Sequence, residues 1–538
     1  MTTAEIVAAT FKANGIRRCF GLPGGEIAEI MSASRRLGVE FILTRHENTA
    51  CIMAGVAGEL SRRPGVALAT VGPGATNLVN GVATALLERA PLLVISAQVA
   101  TSLAPVLPHQ RVNLEELFRP ITKWSSTLTG KETAATVQRA LDLTMEGRPG
   151  PVYLALPGDI ARREEPISGP AGRPLHWSSL PLRAGPSTDA VQRAARMISD
   201  ARQPLAVVGI GLDPMNVRPN LLRWLEATRI PVAVSPKAKG LVPEDHPLFV
   251  ATCAGMAGDR LFAELVHEAD LLIGVGFDPT EAIRPFYLDR PFLSVAEYSV
   301  AEPDFTPVIE LIGNVPETLD ALAADPRVCH TWTAGTLVAF RQGLAAFLAP
   351  SSRQTELGLS PAHLFLRLRD LTPRDTILTV DTGAHKLLVG QLWRSYQPRT
   401  YLVSHGLSTM GFALPAALAA KLDHPDRAVV AVTGDGGLAM VLSELETAAR
   451  LHLPIVVVVL SDRSLHLIRL HQERKGFQPS GVDFGSIDFS GIAPGFGCRG
   501  LQAASWPEFD AAIAGALAAE RPTVIEVPVD PADYNQML

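Results

Sequence analysis

Short, unbroken apolar runs alternate with stretches of helical periodicity along the whole chain. Runs of strand length occupy residues 65–70, 92–97, 204–208, 231–234, 271–275, 428–432 and 455–460. A continuous apolar run, rather than an in–out alternation, is what a strand buried on both faces needs. Between these runs, apolar residues recur at three- and four-residue spacing, as on a helix with one buried stripe. The pattern predicts an α/β fold of mostly parallel sheets flanked by helices. At the start, Thr2 and Glu5 have capping-box spacing, so a helix is expected to begin there.

Two stretches break the alternation. Residues 163–186 are rich in proline, glycine, serine and charge, and residues 349–360 are similar and shorter. Read as linkers, they divide the chain into three domains, 1–165, 187–346 and 360–538, each near the usual domain size. No short repeat or low-complexity tract is present. Whether the first and third parts share a fold is open at this level.

The third part contains the sharpest local pattern. The run 428–432 ends at Thr433-Gly434-Asp435-Gly436-Gly437. A helix is predicted over 438–451, with Leu438, Leu442, Leu445 and Ala449 as its buried stripe and Glu444, Glu446 and Arg450 off it. Pro454 ends the turn, and the next strand leads into Ser461-Asp462-Arg463-Ser464. This is one βαβ unit, whose right-handed crossover brings both carboxyl ends to the same sheet edge. Asp435 and Asp462 are therefore expected together, where α/β proteins bind ligands. Two carboxylates there suit a hard divalent cation. The glycines admit phosphate oxygens to backbone N–H groups, and a helix start favours that negative charge. Taken alone, Gly-Asp-Gly is also an ordinary tight turn.

A second candidate is Glu47, in Arg45-His46-Glu47, after the apolar stretch 39–43 and before a small-residue helical stretch. A lone carboxylate there is suited to proton chemistry on a cofactor. A helix-start charge or an ion pair with Arg45 are the plainer alternatives.

Composition narrows the classes. Apolar residues make up 47% of the 538 and charged residues 19%, the balance of a well-buried globular protein. The net charge of −6, without a dense basic stretch, argues against a nucleic-acid partner. No apolar run approaches the roughly 18 residues of a membrane span. The first residues lack a basic region followed by an apolar one, and the five cysteines (Cys19, Cys51, Cys253, Cys329, Cys498) are scattered and odd in number. Both points lead to an expectation of reduced thiols in a cytoplasmic protein, without a disulfide frame or zinc site.

The step of 27 residues from Asp435 to Asp462, with a helix and a strand between, closely resembles the thiamin diphosphate signature. Arg45-His46-Glu47, Gly72-Pro73-Gly74-Ala75-Thr76-Asn77, Gly21-Leu22-Pro23-Gly24-Gly25 and the run from Pro91 resemble the pyrimidine-binding domain of the acetolactate synthase group. The likeness spans nearly the whole chain. It implies that Asp435 and Asp462 bind Mg²⁺ through side chains and Ser464 through its carbonyl. Gly434, Gly436 and Gly437 would lie against the diphosphate. Many members carry Asn-Asn where this chain has Ser461-Asp462. The resemblance also implies that Glu47 bonds N1′ of the aminopyrimidine and so promotes loss of the thiazolium C2 proton. Pro73 and Asn77 would lie near that ring. Gly406-Leu407-Ser408-Thr409-Met410-Gly411-Phe412 resembles the loop whose methionine wedges the cofactor into its bent form. Met410 would be the wedge, and Ser408, where glycine is usual, would offer its carbonyl. Asp381-Thr382-Gly383-Ala384-His385 resembles a further loop near the diphosphate, although His385 also reads as a surface or core-edge residue.

Substrate positions are less specific. His109 and Gln110 resemble the active-site loop of acetolactate synthases, His109 being closer to the catabolic, flavin-free type; a plain solvated loop histidine is the alternative. Gly158 stands where anabolic members often have Lys, and Leu465-His466 where Tyr-Gly is usual. Leu465 and His466 are candidates for lining the pocket, with a solvent-facing helix start as the alternative for His466. Gly209-Ile210-Gly211 lacks the third glycine of a dinucleotide fingerprint, Pro214 occupying that place. FAD is therefore not expected as a requirement, a vestigial flavin site being the most the sequence leaves open. The resemblance implies decarboxylation of a 2-oxo acid such as pyruvate, with carboligation to a second carbonyl. A non-ligating decarboxylase, a cofactor-binding regulatory paralogue and a flavin or nicotinamide oxidoreductase are the rivals. It also implies a homodimer or homotetramer with active sites between subunits.

Overall fold

The computed structural model describes residues 1–166, 184–324, 330–350 and 353–538. Among the described residues, eighteen strands form three six-stranded sheets. The first holds β1 (Arg18–Leu22), β2 (Glu40–Leu43), β3 (Gly65–Ala69), β4 (Leu92–Gln98), β5 (Trp124–Thr127) and β6 (Pro151–Pro157), in the order β2-β1-β3-β4-β6-β5. The second holds β7 (Pro204–Val208), β8 (Val232–Val234), β9 (Phe249–Thr252), β10 (Leu271–Val275), β11 (Phe292–Ala296) and β12 (Ile309–Ile312), in the order β12-β11-β10-β7-β8-β9. The third holds β13 (Ile377–Val380), β14 (Tyr401–Val403), β15 (Val429–Gly434), β16 (Val456–Ser461), β17 (Arg499–Gln502) and β18 (Thr523–Pro528), in the order β14-β13-β15-β16-β18-β17. Within all three sheets the strand pairings are parallel.

Counting strands from the start of each, the first and third sheets have the same order, which answers the question left open by the sequence. The second has the order of dinucleotide-binding folds. The apolar runs fall on strands with shifts of at most two residues, and β3, β7, β10 and β6 are buried along their whole lengths. That is the burial a sheet covered on both faces imposes. The expected capping box is present: Thr2 and Glu5 cap the helix Thr3–Ala13.

By packing, the chain forms two compact units. One comprises Met1–Pro181, Leu407–Pro425 and Val441–Leu451; the other comprises Leu182–Gly406, Asp426–Met440 and His452–Leu538. The first unit therefore contains the first sheet together with two short pieces of the third part. One of these is the almost wholly buried helix Ala413–Asp423, which packs on the helix Glu47–Ser61.

Three expectations change. The predicted helix 438–451 is two helices, Asp435–Val441 and Glu444–Arg450. Between them Leu445 and Glu446 bond back three residues, to Leu442 and Ser443, and this tight turn resets the helical phase. Glu444, expected off the buried stripe, is consequently fully buried. The linker expected at 349–360 is tied down at its end: Leu359 is buried and bridges Val529, and Ser360 caps the helix Pro361–Leu371. Most of the other linker, and Cys329, lie outside the described residues. The four described cysteines are buried free thiols. Among the described residues no helix is long and apolar enough to cross a membrane.

Candidate active site

In sheets with these orders, ligands bind beyond the carboxyl ends of the strands, where the winding direction reverses. In the third sheet that point lies between β13 and β15. Thr382 and His385 follow β13, and Gly434, Asp435, Gly436 and Gly437 end or follow β15. Gly434 pairs with Leu460 of the parallel β16, so Asp462 emerges at the same edge. Asp435 Oδ2 accepts from Arg463 N at 2.7 Å and Oδ1 from Gly436 N at 2.8 Å. Asp462 Oδ1 accepts from Ser464 N at 3.1 Å. Segment 463–465 is held by pairing with 482–484, through Ser464 with Asp483 and through Leu465 N and Phe484 N.

The two carboxylates are electrostatically unsatisfied. Burial raises Asp435 above the ordinary aspartate range, against its backbone hydrogen bonds. Asp462 is pushed up to about 7, first by burial and then by the charge of Asp435. A pair of buried carboxylates repelling each other is a place where a cation is stabilising. The described residues hold no group of three or more His, Cys, Asp or Glu suited to a metal. The candidate set here is two carboxylates and one backbone carbonyl.

Around this pair lie polar atoms with nothing to bind. Thr382 Oγ1 and His385 Nε2 are buried without a hydrogen-bond partner. His385 is buried, not at the surface, and burial pushes it down to about 4, so its ring is neutral. A Cβ on Gly434 would stand 3.4 Å from His385, so glycine keeps the space beside that ring open. The orphaned Thr382 hydroxyl beside the glycine turn fits an anionic group such as a diphosphate, whereas the neutral His385 ring donates to the Asp381 backbone through its other nitrogen and leaves Nε2 as an acceptor. Leu465 covers Gly436, where a Cβ would come within 3.0 Å of it. His466 is buried rather than solvent-facing, with Nε2 at 3.2 Å from Asn535 Oδ1 and Nδ1 at 3.6 Å from Asp462.

The other candidates gather in the unit that contains the first sheet. Glu47 opens the helix Glu47–Ser61 and is 4% exposed. Asn77 Nδ2 donates to its Oε2 at 3.0 Å. The ion pair with Arg45 is absent; Arg45 instead donates its backbone N–H to Glu444 at 2.8 Å. Pro73 opens the short helix Pro73–Thr76, after Gly72, whose φ of +62° favours glycine. The Gln110 side chain packs against Gly72, bringing it to the same turn, whereas His109 is exposed and no contact joins it to the others. Asn80 bonds both Asn48 Oδ1 and Thr409 Oγ1, which ties the loop carrying Ser408 and Met410 to the Glu47 helix. Ser408 has φ +57°, the left-handed conformation that explains why glycine is usual there. Gly158 faces open space, so a longer side chain would fit.

Glu444 was not among the sequence candidates. Its carboxylate accepts from Arg45 N, Thr49 Oγ1 and Thr447 Oγ1, clamping the helix that begins at Glu47. No distinguishing signal is present in the sequence, because Glu444 and Glu446 stand two residues apart and both read as charges at a helix start.

The second sheet offers another crevice, between β7 and β10. There the backbone donors are already used. Ile210 N donates to Glu281 Oε2 at 2.9 Å, Gly211 N to Gly276 O at 2.6 Å and Asp213 N to Glu297 Oε1 at 2.8 Å. Glu281 is 1% exposed and also accepts from Ser235. These residues do not fit a dinucleotide, because the chain's own carboxylates occupy the N–H groups a diphosphate would need.

The chain matches three family models in order: the N-terminal binding domain of thiamine pyrophosphate enzymes over residues 1–117, their central domain over 191–322 and their C-terminal binding domain over 381–527. It is 31% identical to the catabolic acetolactate synthase of Raoultella terrigena, across 98% of this chain and 95% of that protein. It is 30% identical to an acetolactate synthase of Bacillus subtilis (strain 168), across 98% and 93%. It is also 30% identical to the large subunit of acetolactate synthase isozyme 2 of Escherichia coli (strain K12), across 98% and 96%.

Proposed function

Since the chain belongs to the thiamin diphosphate-dependent enzymes of the acetolactate synthase group, we propose that it decarboxylates a 2-oxo acid, pyruvate first among them, and joins the remaining fragment to a second carbonyl. The observation that carries the reading is the Asp435–Asp462 pair beside the orphaned Thr382 hydroxyl and the glycine turn. Asp435, Asp462 and the Ser464 carbonyl would hold Mg²⁺, and the loops after β13 and β15 would hold the diphosphate. Bound thiamin diphosphate supplies the nucleophilic carbon and the electron sink for loss of carbon dioxide.

The chain's own residues do the positioning. Asn77 fixes one oxygen of Glu47, leaving Oε1 to share a proton with N1′ of the aminopyrimidine. Met410 and the Ser408 carbonyl are proposed to set the bend of the cofactor, and Gln110, with His109, Leu465 and His466, to meet the substrate. FAD is not required in this reading, and the support is the occupied N–H groups of the central crevice. A homodimer or homotetramer with sites shared between subunits, domains at 1–165, 187–346 and 360–538, and a cytoplasmic setting for the buried free thiols complete the proposal.

The test is product analysis after pyruvate is supplied with Mg²⁺ and thiamin diphosphate. Acetolactate is the expected product. Acetaldehyde as the sole product would replace carboligation with simple decarboxylation. No turnover of any 2-oxo acid, with the cofactor bound, would overturn the reading in favour of a regulatory paralogue.

A further inference from the structure

The two carboxylates of the Asp435–Asp462 pair are supported unevenly. Asp435 has a backbone N–H on each oxygen, from Arg463 and from Gly436. Asp462 Oδ1 has one, from Ser464 at 3.1 Å. Its Oδ2 is turned to the imidazole of His466, whose Nδ1 stands 3.6 Å away. His466 opens the helix His466–Arg474, four residues after Asp462, so its ring reaches back over the turn that follows β16.

The ring is braced from behind. His466 is buried, lies against Tyr534 with ring centroids 5.6 Å apart, and has Nε2 3.2 Å from Asn535 Oδ1. Both partners belong to the C-terminal helix Ala532–Met537. That helix is anchored in turn by Asp533, which accepts from Ser360 Oγ at 2.6 Å and from Ala362 N at 3.0 Å. A carboxylate facing Nδ1 selects the ring form that carries a proton there. Asn535 serves Nε2 whether that atom donates or accepts, because an amide does both. A small rotation of the Asp462 carboxylate closes the 3.6 Å gap to hydrogen-bond length, about 3.2 Å at its outer limit.

We propose that His466 is a positioning residue for the metal: braced by Asn535, it donates through Nδ1 to Asp462 Oδ2 and fixes the carboxylate with its other oxygen left for the cation. This rests on the reading that Asp435, Asp462 and the Ser464 carbonyl hold Mg²⁺. The donor also offsets the negative charge that Asp462 and Asp435 turn on each other. A carboxylate held to one free oxygen suits Mg²⁺, which demands near-ideal octahedral geometry. Hydrogen-bond partners of metal ligands commonly change metal affinity about 10- to 100-fold. With both nitrogens committed, His466 offers a substrate its ring edge and not a hydrogen bond.

The test is calorimetric titration of Mg²⁺ into the full chain with thiamin diphosphate present, in His466→Leu, His466→Asn and Asp462→Asn. Asparagine keeps an N–H near the position of Nδ1, and leucine has nearly the same shape without a donor. His466→Leu should weaken Mg²⁺ about tenfold or more, and His466→Asn much less. Asp462→Asn puts an amide N–H₂ in place of Oδ2 and needs no donor there. Adding His466→Leu to it should cost at most about twofold, a coupling that packing alone does not produce. Equal losses in the two His466 variants, or the same loss from His466→Leu in both backgrounds, would overturn the proposal and leave His466 as a packing residue. Failure of the underlying reading looks different: Asp435→Ala would then leave the Mg²⁺ titration unchanged, and both would fall. Should His466→Leu misfold, Asn535→Ala removes the brace at an exposed position. It should give a smaller loss in the same direction, absent in the Asp462→Asn protein, and a loss equal in both would count against the proposal.

Discussion

Replacing Glu281 by Gln should remove a large pH dependence from the stability of the central sheet. Glu281 is 1% exposed. Burial, reinforced by nearby Asp278, raises its carboxyl from the ordinary 4.5 to about 8, against the hydrogen bonds from Ser235 and Ile210. The folded protein thus keeps a proton that the unfolded chain releases above pH 4.5. Stability from this group is complete below the unfolded value and is lost as pH rises through about 8. At about 1.4 kcal/mol per pH unit, the interval from 4.5 to about 8 corresponds to at most about 5 kcal/mol. Glutamine keeps the shape of the neutral acid: its oxygen can accept from Ile210 N, and its amide can donate to Ser235 Oγ once the hydroxyl that now donates to Glu281 turns away. Scanning calorimetry between pH 5 and 9 should therefore show wild type and variant melting together at pH 5. They should diverge to roughly 10 °C at pH 9 in favour of Glu281→Gln, for a melting unit of this size. Parallel curves across the whole range would refute the idea that this carboxyl is held protonated in the crevice.

Other perturbations separate the roles proposed for the candidate site. Glu47→Gln should still bind thiamin diphosphate while losing turnover by about 10²- to 10⁴-fold; near-normal activity would sink the proton-sharing role. Asp435→Ala should weaken Mg²⁺-dependent cofactor binding, read by tryptophan fluorescence titration, and an unchanged titration would remove it from the metal set. Glu444→Ala orphans two donors, at Arg45 and Thr447, while Thr49 keeps His46 O as an acceptor. At about 1–3 kcal/mol for each buried unsatisfied group it should destabilise by at least about 2 kcal/mol, with Glu444→Gln milder. A melting temperature unchanged in both would show that the clamp contributes nothing.

The strands were legible because their environment is uniform. A strand buried on both faces in a parallel sheet needs apolar residues at every position, and β10 matches its predicted run residue for residue. The matching strand orders of the first and third sheets were not legible, since order is set by which strands pair and not by the identity of any residue. The helix after Gly437 was misread for a related reason. Its apolar spacing from Leu438 to Ala449 suits one long stripe. Only the turn at Leu442 and Ser443 shows that a new helix starts there, with Glu444 buried.

Sequence distance accounts for the unequal legibility of the two groups of candidate residues. Asp435, Asp462 and Ser464 belong to one βαβ unit, and the handedness of a single crossover suffices to bring them to one edge. Periodicity and turn residues, read locally, are enough to derive that group. Glu47 has no such unit. Asn77, which fixes its orientation, comes 30 residues later, just past the short helix Pro73–Thr76. The carboxylate that clamps its helix is contributed by Glu444, 399 residues beyond Arg45. Thr409, which ties the Met410 loop to the same helix through Asn80, lies 329 residues beyond it. No periodicity carries information over such separations, and each of these polar residues, read locally, is indistinguishable from a solvated helix or loop residue. What marks them is burial: a carboxylate inside a protein persists only where donors meet it. For Glu47 those donors were chosen by the folded topology, so its chemistry becomes derivable only after the sheet and its covering helices are in place.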